Sequence, residues 1–264
     1  MIYRALKKTY IALIILFMYA PMLVLIGLSF NDSRSRVVWG GFTMEWYYSL
    51  FTSRTYIDAF ITTITLALLS AAIASILGLA AAIGISAMRK RHIQIMLFFT
   101  NIPLVNADIV TGIALMLWFI RFLPLGFTSV LFAHVTFNMP YVILCILPKL
   151  KTADIRQYEA ARDLGATVGT AFVKVMLPDL MPGIMSGFFL AATMSLDDFV
   201  ITYFTKGPGV NTLSTLIYGE IRKHISPEIY ALSSIMFLLV LIVLIVINVK
   251  GGISVSDEND KKAV

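Results

Sequence analysis

The stretch that decides the fold runs from Glu159 to Pro178 and reads EAARDLGATVGTAFVKVMLP. Its first part consists of good helix formers with small residues among them, which predicts a short helix over Tyr158–Leu164. Gly165 follows directly, and glycine readily adopts the left-handed backbone conformation that ends helices. Pro178 closes the stretch and predicts the end of a second short helix before the chain enters an apolar segment.

The composition around this stretch is that of an integral membrane protein. Hydrophobic residues make up 59% and charged residues 14% of the 264 residues, against about 25% charged residues in typical soluble domains. A chain of this length cannot bury so much apolar surface in one core, which excludes soluble, fibrous and disordered classes. The formal charge of +6 then indicates basic loops on a cytoplasmic membrane face rather than nucleic-acid binding. The single Cys145 excludes an internal disulfide framework.

Six apolar stretches are each long enough to cross a hydrocarbon core of about 30 Å as a helix. They predict an all-α membrane protein with one domain over residues 1–253 and a disordered polar tail over 254–264. Of the 21 basic residues, 14 lie on the side that holds both termini, so both termini are predicted to be cytoplasmic. The largest cytoplasmic loop is then expected at about 148–180. The predicted spans are Tyr10–Phe30, Tyr56–Ala87, Ile93–Ile120, Ser129–Leu147, Met181–Phe204 and Tyr230–Val249.

The loop before the fifth span resembles the EAA signature of ABC importer permeases, written EAA-x3-G-x9-I-x-LP. The spacing agrees at every step, and the one departure is Val175 where the family usually has Ile. The resemblance implies the type I ABC importer permease fold of six transmembrane helices, and a loop that docks to a separate ATPase. The residues it assigns to ATPase coupling are Glu159, Ala160, Ala161, Gly165, Leu177 and Pro178.

Three acidic residues lie well inside predicted spans, away from the span ends, where a charge costs at least about 2.5–3.5 kcal/mol at the bilayer centre. They are Asp108 in the third span and Asp197 and Asp198 in the fifth, and no Lys or Arg lies deep in any span to neutralise them. On straight helices, Asp108 and Asp197 would lie at similar depths in the outer half of the membrane. We predict a pathway for a cationic substrate at these three acids. Because the side chains of Asp197 and Asp198 would point about 100° apart on a helix, one of the pair would face the pathway and the other would bond a neighbouring helix.

Other polar and aromatic residues near these acids are more economically explained by helix packing. Asn101, Asn106 and Thr111 flank Asp108, and Phe199 and Tyr203 follow the acidic pair. Each could contact a cation, but helix packing is the favoured interpretation. His134 in the fourth span is interpreted as a packed, hydrogen-bonded core histidine rather than a ligand.

The segments Met194–Val200 and Asn106–Val110, together with Ser29–Asn31 and Gly41–Thr43, are similar to permeases of the spermidine/putrescine ABC importers. This similarity covers nearly the whole chain. It implies an inner-membrane subunit that pairs with a homologous second permease, two copies of a cytoplasmic ATPase and a periplasmic polyamine-binding protein. The substrate would be a polyamine.

Catalysis by this chain is not expected. No G-x4-G-K-[ST], H-E-x-x-H or G-x-S-x-G pattern occurs, and the three histidines are scattered. We therefore predict no cofactor and no metal, with ATP hydrolysed by a separate subunit. Two alternatives stay open: an ABC permease for putrescine alone or another small solute, and an ATP-independent secondary carrier whose aspartates bind H⁺ or Na⁺. A membrane-bound enzyme is the least favoured alternative.

Overall fold

The computed structural model describes residues 2–33, 38–223 and 227–262, and within them the chain forms helices joined by short connections. A single isolated β-bridge joins Asn31 and Phe42. In chain order the helices are α1 (Ile2–Leu28), α2 (Glu45–Thr52), α3 (Arg54–Ser86), α4 (Lys90–Val105), α5 (Asp108–Phe119), α6 (Phe127–Thr152), α7 (Ile155–Asp163), α8 (Val168–Ala171), α9 (Leu177–Asp197), α10 (Val200–Thr205), α11 (Leu213–Lys223) and α12 (Pro227–Lys262).

Five of the six predicted spans are confirmed as helices long and apolar enough to cross a membrane. They comprise most of α1, all of α3 and α6, the unbroken helical run Val168–Asp197, and the first part of α12. The fifth span does not continue to Phe204 as predicted, because Asp198 has an extended backbone and the chain restarts as α10. The backbone of α12 is described to Lys262, but the side chains beyond residue 245 lie outside the described part, and the disordered tail stays a prediction.

The third predicted span, Ile93–Ile120, is not one continuous helix. It consists of α4 and α5, which meet at an angle of 104°. Asn106 and Ala107 have extended backbone angles between the two helices, and Pro103 in the last turn of α4 supplies no N–H for the helix ladder. The straight helix from which we derived a depth for Asp108 is therefore not present.

Helices α3, α6 and α9 pack against one another and form the main core. Close approach depends on glycines, as in many membrane helix pairs. A Cβ atom on Gly78 of α3 would lie 2.6 Å from Val142 Cγ1 of α6, and one on Gly187 of α9 would lie 3.2 Å from the Val142 Cα. One turn earlier in α9, Gly183 is similarly tight against the Cys145 carbonyl. Val142 is therefore enclosed by two glycines from two different helices.

Short helices surround this core at the end where α3 begins. Helix α2 packs with α11 and α12 around a second apolar cluster. The connection between α1 and α2 is organised by Asn31, whose side chain accepts a hydrogen bond from the Gly40 N–H at 2.8 Å and donates to the Val38 carbonyl at 3.0 Å. The Trp46 indole N–H donates to the Asn31 carbonyl at 2.8 Å. These bonds fix α2 next to the end of α1.

Candidate functional sites

The first candidate site is the exposed helix α7 and the turn that ends it. The Asp154 carboxylate accepts a hydrogen bond from the Arg156 N–H at 3.1 Å and caps the start of the helix. At the other end Gly165 has φ +89°, and its N–H donates to the Arg162 carbonyl at 3.0 Å. The Ala166 N–H donates to the Ala161 carbonyl at 3.1 Å, which completes a Schellman turn. The predicted short helix and its glycine stop are both confirmed.

Pro178 does not end a helix, so that part of the prediction is wrong. Residues Phe172–Met176 form a π-helical turn that joins α8 directly to α9, and Pro178 lies in the first turn of α9. The Leu177 N–H bonds to the Phe172 carbonyl, five residues back. The wider turn accommodates the proline, which has no N–H for the ladder and a bulky ring. The segment between the fourth and fifth spans is consequently only 153–167, shorter than the predicted loop of 148–180.

The coupling residues predicted from the sequence lie on this projecting surface. Glu159, Ala160 and Gly165 are exposed, as is Pro178, whereas Ala161 and Leu177 are half-buried. Helix α7 packs on α8 and the π-helical turn. The apolar side chain of Leu164 is 90% exposed at the tip. An apolar side chain in that position, beside further exposed apolar residues at Ile155 and Val168, is typical of a protein docking surface.

The second candidate site contains the predicted acids, and all three lie at helix breaks. Asp108 is the first residue of α5, Asp197 is the last residue of α9, and Asp198 follows it in the connection to α10. The short helices α5 and α10 pack against each other, since a Cβ atom on Gly112 would lie 3.5 Å from the Ile201 Cα. Asp108 lies about 6 Å before Gly112 along α5, and the acidic pair lies three to four residues before Ile201. All three acids therefore lie within about one helical turn of the contact between α5 and α10.

The two adjacent acids have opposite environments. Asp197 is exposed, whereas the side chain of Asp198 is 9% exposed. Asp198 Oδ2 accepts hydrogen bonds from the Thr202 N–H at 2.8 Å and the Thr202 hydroxyl at 2.7 Å, and Oδ1 accepts from the Ile201 N–H at 3.2 Å. Asp198 thus caps α10, and its charge is stabilised by donors of its own segment.

His134 of α6 joins the buried acid to the end of α9. It is fully buried, its Nδ1 lies 2.6 Å from the Ser195 hydroxyl, and its Nε2 lies 2.8 Å from the Thr202 hydroxyl and 3.4 Å from Asp198 Oδ2. Ser195 in turn accepts a hydrogen bond from the Ser70 hydroxyl of α3 at 3.2 Å. The interpretation of His134 as a hydrogen-bonded core histidine is confirmed.

Three aromatic rings lie beside the acidic pair. The ring of Phe199 lies 4.2 Å from that of Tyr218 and 5.4 Å from that of Tyr203, measured between centroids. Tyr203 and Tyr218 are each about two-fifths exposed. Sequence reasoning missed Tyr218, because it belongs to α11 and only the folded chain brings it to Phe199. Near Asp108, the Asn106 side-chain amide donates to the Thr111 hydroxyl at 3.2 Å, so these two residues stabilise the start of α5. Asn101 is half-buried, and no hydrogen bond to its side-chain oxygen occurs among the described residues.

Two broken spans, a three-helix core and an exposed short helix between the fourth and fifth spans are the features of an ABC importer permease fold, and solved structures support this class. The fold matches the transmembrane protein of a bacterial ABC transporter for the acidic polysaccharide alginate with a TM-score of 0.71 and 15% identity, covering 95% of this chain and 94% of that one. An amino acid ABC transporter matches with a TM-score of 0.58 and 21% identity, over 79% of this chain and 95% of the other.

The family follows from the sequence match. The family described as binding-protein-dependent transport system inner membrane component matches residues 74–253, and the chain belongs to this family. It is 36% identical to the spermidine/putrescine transport system permease protein PotC of Escherichia coli (strain K12), over 93% of each chain. It is 39% identical to the putrescine transport system permease protein PotI of the same organism, over 83% of this chain and 81% of the relative. The PotC protein of Haemophilus influenzae is 36% identical over 89% and 91%.

Proposed function

We propose that this chain is the permease subunit of an ATP-driven importer of polyamines such as spermidine and putrescine. The observation that carries the proposal is that Asp108 and Asp197 are exposed carboxylates at the breaks of two spans, each within about one turn of the contact between α5 and α10. The six predicted spans hold no Lys or Arg at depth to neutralise them. The names of the 36–39% identical relatives support the same substrate class.

The acid site has the chemistry that a polyamine needs. A polyamine carries ammonium groups several bonds apart on a flexible chain, so carboxylates on two helices can each hold one group. Each charge-assisted hydrogen bond is worth about 1.5–3 kcal/mol. The rings of Phe199, Tyr203 and Tyr218 offer apolar and cation–π contacts for the alkyl segments and charges between them. A few separated contacts bind weakly enough for release, as transport requires.

The surface formed by α7 and Leu164 is the docking site for a cytoplasmic ATPase, of which the assembled importer holds two copies. Small side chains at Ala160 and Ala161 allow a groove of the partner to approach the helix closely. When the ATPase closes on ATP it pulls the segment 151–178, the helices open outward, and hydrolysis resets them. The ATPase subunit performs the hydrolysis.

The remaining partners follow from the same assembly. A homologous second permease completes the pathway, and a periplasmic polyamine-binding protein delivers the substrate. The chain lies in the bacterial inner membrane with both termini cytoplasmic, as the distribution of Lys and Arg indicates.

The test is uptake of radiolabelled spermidine and putrescine by cells that lack their own polyamine importers and express this chain with the ATPase, the second permease and the binding protein of its importer. We expect vanadate-sensitive uptake of at least one polyamine. Ala161→Asp should abolish uptake and ATPase co-purification while the protein stays in the membrane. Uptake that ionophores abolish and vanadate leaves intact would instead indicate a secondary carrier, and uptake restricted to a different solute would refute the polyamine assignment.

A further inference from the structure

The chain of hydrogen bonds through His134 joins four helices and includes both sides of the break between α9 and α10. It runs from Ser70 on α3 to Ser195 on α9, then to His134 on α6, and then to Thr202 and Asp198 around α10. Ser70, His134 and Thr202 are fully buried, and Ser195 is nearly so. A hydrogen bond between buried groups is costly to break, because the unpaired group has no water molecule to replace its partner.

The donor inventory fixes the direction of these bonds. The Thr202 hydroxyl has one proton, and it donates that proton to Asp198 Oδ2 at 2.7 Å. His134 Nε2, which lies 2.8 Å from the same hydroxyl oxygen, must therefore be the donor in that bond. In the neutral imidazole Nδ1 is then the acceptor, and the Ser195 hydroxyl donates to it. One neutral tautomer therefore provides a hydrogen bond at both ring nitrogens. Nδ1 bonds to α9 and Nε2 bonds to α10.

The same bonds determine which side chain at the break faces outward. Ser195 and Leu196 are 3% and 4% exposed, and the Asp198 side chain is 9% exposed. Asp197 is the one exposed side chain in the segment Ser195–Asp198. His134 holds Ser195 and contacts Asp198, one on each side of Asp197, so the outward direction of Asp197 depends on residues that His134 fixes.

We propose that His134 is a positioning residue: by joining Ser195 to Thr202 and Asp198, it holds the break between α9 and α10 so that Asp197 faces the substrate. Asp198 is then a structural cap, and Asp197 is the member of the pair that contacts an ammonium group. This inference rests on the proposed function, since it assigns a polyamine to Asp197.

The first experiment measures position directly. In the assembled importer, Cys145 is replaced by Ala, which removes the single cysteine of this chain. Asp197→Cys is then labelled with a cationic methanethiosulfonate reagent, and the label on this subunit is measured. We expect His134→Leu to change the labelling rate several-fold, because the break is no longer held. His134→Gln, which can donate to Thr202 and accept from Ser195, should keep the original rate.

Asn138 provides the matched control. It lies one turn from His134 on α6 and is also fully buried, but its side chain has no hydrogen-bond partner among the described residues. Asn138→Leu should therefore leave the labelling rate unchanged. Should His134→Leu fail to assemble, Ser195→Ala removes one bond and should change the rate in the same direction. An unchanged rate in every assembled His134 or Ser195 variant would overturn the inference.

The second experiment is a double-mutant cycle on spermidine uptake, with the loaded binding protein in excess. We expect Asp197→Asn and His134→Leu each to reduce uptake about tenfold or more, and the double variant to be no worse than Asp197→Asn alone. Losses that multiply would show that His134 acts independently of Asp197 and would refute the proposal. If the unmodified importer takes up no polyamine, the proposed function fails, and the labelling rates still decide whether His134 positions residue 197.

Discussion

At the scale of single residues, charge and burial divide two neighbouring acids into different roles. Asp198 accepts three hydrogen bonds from Ile201 and Thr202, whereas Asp197 and Asp108 are exposed at helix ends. A carboxylate whose oxygens are already engaged by its own segment has little to offer a passing cation. The exposed acids keep both oxygens for the substrate, so the substitutions most informative about transport are those at Asp108 and Asp197.

Asp108→Asn should reduce spermidine uptake about tenfold or more, because one charge-assisted contact is lost. Asparagine keeps the shape of the side chain, and the loss of a negative charge in the first turn of α5 costs the helix only about 0.3–1 kcal/mol. Uptake and membrane protein level are measured together. Asp58→Asn, at an exposed acid near the start of α3, serves as the control and should transport normally. Normal uptake by Asp108→Asn would remove this acid from the substrate site.

Gly165→Ala should weaken coupling to the ATPase, because φ +89° costs a residue with a Cβ about 1–2 kcal/mol. In the variant, we expect the turn that holds Leu164 at the surface to unfold, because its loss relieves this strain. The readout is the amount of ATPase that co-purifies with the permease in detergent. Gly169→Ala, an exposed glycine four residues on with open space around it and no positive φ, is the matched control. Equal ATPase recovery from the two variants would contradict the role assigned to the turn.

At the scale of elements, the two breaks in the transmembrane helices explain how charged groups are tolerated at depth. Residues at a break have backbone groups that the helix ladder leaves unpaired, and in a membrane such groups are tolerated only against protein or water. Asp198 satisfies two N–H groups at the start of α10. Helix α5 packs against α10, so both breaks lie in one region of the fold.

The glycines of the core permit a sharp test of packing. Gly78→Ala should lower the stability of the purified permease by about 1–3 kcal/mol, because the new methyl group overlaps Val142 at 2.6 Å. Gly84→Ala on the same helix, where nothing lies within 4 Å, should not destabilise the protein. Thermal unfolding in detergent measures both. Adding Val142→Ala to Gly78→Ala should recover part of the loss, and the absence of any recovery would show that another contact is responsible.

Local features of this fold could be predicted from the sequence, and features that depend on distant partners could not. Gly165 and the helix before it follow from residue types in one short stretch, and the apolar spans follow from their length. The 104° bend could not be predicted, because Pro103 is equally compatible with a modest kink. The partnership of His134 with Ser195 and Thr202 joins residues 61 and 68 positions apart, and nothing in the local sequence around any of them indicates it.

At the scale of the whole molecule, one helix connects the two candidate sites. The unbroken run Val168–Asp197 has 30 residues and is about 45 Å long at 1.5 Å per residue. Its first turns pack against α7, and its last residue is Asp197. The proposed docking surface and the acid site therefore lie at opposite ends of a single helix. Contacts with α6 hold that helix near both ends, through the Lys149–Asp179 ion pair at 3.6 Å and the His134–Ser195 hydrogen bond.

The direction of the core helices also decides how the bent pair α4–α5 crosses the membrane. Ser70 of α3 and His134 of α6 both lie next to Ser195, and eight residues further along each helix Gly78 meets Val142. Helices α3 and α6 therefore run in the same direction. Two parallel spans that follow each other in sequence need one crossing between them, so α4 and α5 together must cross the membrane rather than return to the side they left.

Reporter fusions test this topology. Fusions after Arg91 and at Lys151 should both be cytoplasmic, and fusions near residue 36, which lies outside the described residues, and near Pro208 should be periplasmic. If α4–α5 were a re-entrant loop, only α6 would separate the first two sites, and Lys151 would report the periplasm. That result would also place α7 outside the cell, where no ATP-driven subunit could reach it. A cytoplasmic signal at both Arg91 and Lys151 therefore supports the crossing by α4–α5 and the position of the coupling surface in one experiment.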